Sequence, residues 1–314
     1  MNGKRSTRLN QQSIAPISVP SRRTSTALAV APRFGKTLRM AAITVAFLGD
    51  IFGSPGRQVV QQHLPDLRRD HRPDVVIANA ENAKAGSGLT PELYAKIRNY
   101  GIDAITLGDH VFRDRDIVAT LQAANEPISR PANLAAKAPG RQFIRIPPAG
   151  KRTRNVFVIT VLGRIFMSLP ADDPFAAVDR ILPTLPEADP LVIVEAHMEA
   201  TAEKAALANY LDGRVAMVVG THTHVPTADA RILPKGTGFI TDLGMCGPYA
   251  SIIGRDPEQV VHHMTTSVHI PYAVGNGGEA MCGVVARIDE TSRRTLSIQR
   301  VRYGANLEFQ SGAN

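Results

Sequence analysis

Val215-Ala-Met-Val-Val219-Gly220-Thr221-His222-Thr223-His224 decides how this chain is read: five apolar residues, a glycine, then two histidines one residue apart. An apolar run of that kind is the pattern of a strand buried on both faces, as in a layered α/β fold. Ligands of open α/β sheets bind beyond the carboxyl ends of the strands, which is where this run delivers its imidazoles. The same arrangement recurs upstream. Residues 43–49 read as a strand that ends in Gly49-Asp50-Ile-Phe-Gly53, and residues 74–80 as one that ends in Glu81-Asn82. A strand over 104–107 runs into Gly108-Asp109-His110, and one over 191–196 into His197. Five strands, read as members of one sheet, each present an oxygen or nitrogen donor at the carboxyl end.

Further strands are predicted at 156–162 and 238–241, the strand of the opening quotation spans 215–220, and helices are predicted at 57–69, 91–100, 115–124, 175–185 and 201–211. Residues 281–290 and 294–303 pattern as an antiparallel hairpin around Asp289-Glu-Thr-Ser. With no internal repeat, long linker or second core, one domain is expected over 40–304, followed by a tail at 305–314. Residues 1–39 hold eight basic residues and no Asp or Glu. They read as a disordered basic leader, with an organellar transit peptide or a spurious extension ahead of Met40 as alternatives.

That leader accounts for the whole net charge of +8, because the remaining 28 basic residues equal the 28 acidic ones. The folded part is therefore neutral. With 5% aromatics and no tryptophan, it offers neither a basic track nor a stacking platform for long nucleic acid. A composition of 44% apolar and 20% charged residues supports a sizeable core. No apolar run approaches the ~20 residues of a membrane span. Cys246 and Cys282 are too few for a disulfide framework and fit a soluble, cytoplasmic protein.

An H-x-H pair is a weak signal alone. Its weight comes from the company of Asp50, Glu81, Asp109 and His197 at equivalent strand ends, since three converging carboxylates repel one another unless cations join them. Two divalent ions would bring four positive charges against three negative ones. Mixed oxygen and nitrogen donors without thiolate suit Mn, Fe or Zn better than Mg or Ca. Paired ions of this kind activate water and clamp phosphoryl oxygens during in-line displacement.

Gly49-Asp50-Ile-Phe-Gly53, Glu81-Asn82, Gly108-Asp109-His110, His197-Met-Glu199-Ala-Thr201-Ala-Glu203-Lys204, Gly220-Thr-His-Thr-His-Val-Pro-Thr-Ala-Asp229 and Gly244-Met-Cys-Gly-Pro248 together resemble the YmdB-like metallophosphoesterases of the calcineurin-like superfamily. The likeness runs from about Met40 to Tyr303. It implies a four-layer α-β-β-α sandwich and a dinuclear centre of iron or manganese. It also implies phosphodiesterase activity on small cyclic nucleotides, of the 2′,3′ type with the 3′,5′ type as a second candidate. One metal would be held by Asp50, Glu81, Asn82 and His224, and the other by Glu81, Asp109, His197 and His222. A metal-bridging hydroxide would attack phosphorus while His110 protonates the leaving oxygen; a mere positioning role is the alternative for His110. The resemblance further suggests a homo-oligomer, without an interface signature in the sequence.

Four positions depart from the family pattern: Asp109 replaces an Asn, Met198 an Ala, Pro226 a Gln and Ala250 an Asp. The first adds negative charge to the centre and bears on rate and metal preference; Met198 and Pro226 read as packing changes, and Ala250 leaves its loop's part in substrate or subunit contacts open. The rival functions on the same core are a phosphomonoesterase, a protein phosphatase, a nuclease, or a weakly active regulatory module stiffened by metal. Among other candidates, Glu199, Glu203 and Lys204 read as helix-opening residues or as orienters of His197, and His262-His263 as a solvated helix face. His63 and His71 read as surface residues and Gly275-Asn-Gly-Gly278 as a mobile loop. Met245 and Cys246 are expected in a turn walling the pocket, with no nucleophilic role for the thiol.

Overall fold

Strands whose residues are apolar in succession must be covered on both faces, and the structure covers them with a second sheet on one side and helices on the other. The computed structural model describes residues 42–306, so the basic leader at 1–39 and tail residues 307–314 lie outside the described residues. The first sheet contains β1 (Ala42–Leu48), β2 (Asp50–Ile51), β3 (Val75–Asn79) and β4 (Ala104–Thr106). The second contains β5 (Ile144–Ile146), β6 (Val156–Leu162), β7 (Leu191–His197), β8 (Met217–Thr221), β9 (Arg231–Ile232) and β10 (Gly238–Ile240). The chain then returns to the first sheet as β11 (Met245–Pro248) and the hairpin β12 (Glu279–Asp289) and β13 (Thr295–Gly304). Its order is β2-β11-β12-β1-β3-β4 with β13 beside β12, and that of the second is β5-β6-β7-β8-β10-β9.

Alternate residues of the same strands feed different layers. Val45, Phe47, Val75 and Ile77 face Val158, Leu191, Ile193, Met217 and Val219 in the inter-sheet core. Ala46, Leu48, Val76 and Ala78 point the other way, against α1 (Gly53–His71), α2 (Pro91–Arg98) and α3 (Ile117–Gln122). Phe157, Ile159, Val192 and Val194 pack under α4 (Pro174–Ile181) and α5 (Thr201–Tyr210). These are the four layers expected of an α-β-β-α sandwich, while α6 (Pro257–Thr266) lies outside the three cores, Val260 being its buried residue. No helix of the described residues is long and apolar enough to cross a membrane.

The five donor-bearing strands belong to two sheets rather than one. β1, β3 and β4 are parallel neighbours in the first sheet, and β7 and β8 are parallel neighbours in the second. Continuous apolar runs specify burial on two faces but not which strands are partners, which is why a single sheet fitted the pattern. The short strands β2, β5, β9 and β11 carry too few residues for a periodic signal. Helix α1 starts at Gly53, four residues before the expected Arg57, because Pro55 occupies its first turn, where a missing N–H costs nothing.

Phe47 is fully buried between the sheets, so Phe47→Ala should destabilise the protein by ~3–5 kcal/mol. Urea unfolding checks this, and a loss under about 1 kcal/mol would mean that the inter-sheet layer relaxes around the void.

Candidate metal centre

The inter-sheet core turns polar at the carboxyl end of its strands. On β7 the inward positions run Leu191, Ile193, Glu195, His197, and on β3 they run Val75, Ile77, Asn79. Glu195 is wholly buried and accepts hydrogen bonds from Asn79 Nδ2 at 2.8 Å, Thr160 Oγ1 at 2.7 Å and Thr221 Oγ1 at 2.8 Å. Because the Thr221 hydroxyl donates to Glu195, its oxygen is left to accept from Nδ1 of His197 at 2.9 Å. That fixes the His197 ring and aims Nε2 away from the core, the arrangement that outer hydrogen bonds impose on metal-binding imidazoles.

Around Nε2 of His197 stand Asp109 Oδ1 at 3.0 Å, Glu81 Oε1 at 3.3 Å and His222 Nδ1 at 3.2 Å. Donor atoms of Glu81, Asp109, His197 and His222 all lie within 4.8 Å of one another, an arrangement that could hold a metal ion. Gly108 makes this approach possible, since a Cβ there would collide with both His197 and Glu81. On the other side of Glu81, Asn82 Nδ2 lies 3.2 Å from Glu81 Oε1 and 3.2 Å from His224 Nε2. Asp50 Oδ2 accepts from the main-chain N–H of His222 at 3.2 Å, while its Oδ1 is buried and has no hydrogen-bond partner among the described residues. A buried, orphaned carboxylate oxygen beside this nitrogen and oxygen set is the void a cation would fill, so the residues fit a metal.

The histidine-bearing loop is held in a costly backbone. His222 and His224 have φ of 98° and 66°, in the left-handed region that charges ~1–3 kcal/mol per residue. Asp242 supports it by accepting from Thr223 N at 3.2 Å and Gly244 N at 2.8 Å. Asp242 is in turn neutralised by the fully buried Lys204 at 2.6 Å. His224 Nδ1 bonds to the carbonyl of Ile253 at 2.9 Å.

Charge in this enclosure shifts its ionisations. Burial foremost, with Glu81, Asp242 and Glu195 nearby, pushes the Asp50 carboxyl up to about 8. Although burial opposes it, His197 is raised well above the ordinary imidazole range by Glu81 and Asp109. Asp109 is driven far below the carboxylate range, burial being overcome by His197 and His222. Burial lowers His110 and His224. His110 lines a cavity of about 430 Å³ together with Phe52, Glu81, Glu199, His222, His224 and Arg255 among others. Its Nδ1 is 2.7 Å from Asn82 Oδ1 and its main-chain N–H donates to Glu81 Oε2 at 3.0 Å.

Residues 46–301 match the YmdB-like protein family. The chain belongs to that family. It is 40% identical over 257 residues to a Bacillus subtilis protein named 2′,3′-cyclic-nucleotide 2′-phosphodiesterase, covering 82% of this chain and 96% of that one. A hypothetical protein from Thermus thermophilus matches in structure with a TM-score of 0.77 and 42% identity, over 84% of this chain and all of the other. A Mycoplasma pneumoniae protein described as a novel phosphatase matches with a TM-score of 0.78 and 31% identity, over 85% and 95% of the two chains.

All eight residues singled out from the sequence of this YmdB-like chain, Asp50, Glu81, Asn82, Asp109, His110, His197, His222 and His224, are brought together. Others fall differently. Glu199 meets His222 Nε2 at 3.3 Å rather than His197. Glu203 accepts from the main chain of Arg164, and Lys204 serves Asp242. Met245 and Cys246 form buried strand β11 and do not line the cavity, because the parallel pairing of β11 with β2 turns this segment into sheet. His262 is exposed, as expected, whereas His263 contacts Tyr272 and His269. Sequence reasoning missed Glu195, Asn79, Asp242 and Arg255. The signal for the first two was a polar residue near the end of an apolar run, Leu191-Val-Ile-Val-Glu195 and Val75-Val-Ile-Ala-Asn79.

Protein stripped of metal should lose stability as pH rises from about 6.5 to 8. Over that window the folded state keeps protons on Asp50 and His197 that the unfolded chain releases, and the lowered histidines have already made their contribution. Thermal melts of chelator-treated protein should show a falling Tm across this range, with a shallower slope in Asp50→Asn. A Tm that is flat or rising would contradict the assignment.

Proposed function

We propose that this protein is a dinuclear-metal phosphodiesterase that opens small cyclic nucleotides, of the 2′,3′-cyclic type first and the 3′,5′ type second. The observation that carries this reading is the cluster of Asp50, Glu81, Asn82, Asp109 and four imidazoles, of which Glu81, Asn82, His110, His222 and His224 line a cavity of about 430 Å³. Asp50, Glu81, Asn82 and His224 would hold one ion, and Glu81, Asp109, His197 and His222 the other. Iron or manganese suits imidazole and carboxylate donors without thiolate. When bound, such ions supply Lewis-acid polarisation of the phosphoryl oxygens and a lowered pKa for water.

The chain's own residues would do the rest. Glu81 stands between the two donor sets and balances charge on both. His197, anchored through Thr221 and Glu195, keeps its Nε2 at a fixed point. His110 lines the cavity with its side chain one quarter exposed, its Nδ1 held by Asn82 and its Nε2 3.8 Å from Asp109 Oδ2, and it is this Nε2 that would face a departing ribose oxygen. To act as the acid of the reaction His110 must carry a proton on Nε2, which burial disfavours and the neighbouring Glu81 and Asp109 favour. Asp109, in the position where the family has Asn, adds a negative charge and is expected to slow turnover rather than change the reaction.

The name of the Bacillus subtilis relative supports the cyclic-nucleotide reading. That of the Mycoplasma pneumoniae relative favours phosphomonoester hydrolysis as a second one. Manganese- and iron-loaded protein should be assayed on 2′,3′-cyclic AMP, 3′,5′-cyclic AMP, a bis-aryl phosphodiester and an aryl phosphomonoester. The expected order places 2′,3′-cyclic AMP first, and a preference for the monoester would overturn the proposal. His110→Ala should keep its metal and lose turnover by ~10²-fold or more, whereas His197→Ala should lose metal and activity together. Wild-type turnover in His110→Ala would remove the proton-donor role.

A further inference from the structure

We infer that Arg255 is a positioning residue for the proposed metal site, which it serves by clamping the Glu81-Asn82 loop and seating His224 through Phe52 rather than by touching substrate. This rests on the dinuclear reading above and adds to it a residue outside the donor set. Arg255 lines the catalytic cavity, where a guanidinium would ordinarily be taken for a phosphate clamp. Its hydrogen bonds point elsewhere. Nη1 donates to the carbonyls of Ala85 at 3.0 Å and Tyr272 at 3.3 Å, and Nη2 to that of Gly86 at 2.7 Å. No carboxylate among the described residues pairs with it within 4.0 Å. The main chain beneath it is equally fixed, bridged to Ile252 and to Val274.

The carbonyls it holds belong to the turn that follows Glu81 and Asn82. In that turn Gly86 N donates to Asn82 O at 3.1 Å and Gly88 N to Glu81 O at 2.5 Å. Gly86, at φ 80°, leaves space for the clamp, since a Cβ there would strike both the Phe52 ring and the guanidinium. The face of Arg255 lies 4.9 Å from the centroid of Phe52. Phe52, 2% exposed, meets the His224 ring edge-on at 5.3 Å. One cation thus braces, in a single stack, the loop that presents Asn82 and the imidazole of His224. Both belong to the same proposed ion, the one also held by Asp50. Lys offers a point charge in place of a planar fork and can neither bridge three carbonyls nor stack on the ring in the same way.

The test is a titration of metal-stripped protein with Mn²⁺ alone, followed by calorimetry, for wild type, Arg255→Lys, Arg255→Ala and Phe52→Leu. The inference predicts that one of two binding steps weakens by ~10–100-fold, the scale on which outer supports act on metal affinity, while the other step is retained. At saturating Mn²⁺ the KM for 2′,3′-cyclic AMP should stay at the wild-type value. Wild-type Mn²⁺ affinity with a raised KM would overturn it and make Arg255 a substrate contact, and wild-type affinity with unchanged kinetics would overturn it outright. Should Arg255→Ala fail to fold, Phe52→Leu, which leaves the guanidinium in place, must weaken the same step. Wild-type protein that takes up no Mn²⁺ defeats the dinuclear reading, whereas two normal steps in Arg255→Lys and Phe52→Leu defeat only the role of Arg255.

Discussion

Negative charge gathered out of water has to be answered by positive charge close at hand. Asp50 and Glu81 are almost wholly buried and Asp109 nearly so, and they share one enclosure at the carboxyl edges of two sheets. With protons alone, the enclosure is balanced by a protonated His197 wedged between Glu81 and Asp109 and by an Asp50 that holds its proton into neutral pH. A proton on Nε2 and a metal cation are thus rival occupants of the same space, and the proposed chemistry follows from which of them the enclosure prefers.

The remainder of the fold can be understood as scaffolding for that concentration of charge. Two sheets are needed because the proposed oxygen donors come from β2 and from the ends of β3 and β4, and the imidazoles from the ends of β7 and β8; the inter-sheet core sets their separation. Glu195, satisfied by three donors, lets the apolar layer end in a polar one without leaving its own carboxylate unpaired. Lys204 and Asp242, an ion pair buried far from solvent, offset the strain of placing His222 and His224 in left-handed backbone. Buried ion pairs contribute little net stability by themselves, and here the pair's role is to hold a loop.

Much of this was legible in the sequence because each donor follows an apolar run directly, so that strand and ligand positions were read together. β6 was found to the residue, and the other long strands to within two, from Val156-Phe-Val-Ile and its like. Strand partnership was not legible, since Val75-Val-Ile-Ala looks the same in one sheet or two. Short strands such as Met245–Pro248 were missed because four residues preceded by Gly244 and containing Gly247 look like a turn until a partner strand pairs with them. Supporting residues were hidden for a different reason. Arg255 and Asp242 act through main-chain groups of distant segments, and nothing in their own neighbourhoods of sequence announces those partners.

In the proposed centre Glu81 would sit between two cations. The most direct test of that arrangement is a crystal of manganese-reconstituted protein examined by anomalous scattering at the manganese edge, with metal content per chain measured on the same preparation. The account predicts two ions per chain and two anomalous peaks flanking the Glu81 carboxylate, one on the Asp50 side and one on the Asp109 side. A single peak, or none within reach of Glu81, would contradict it.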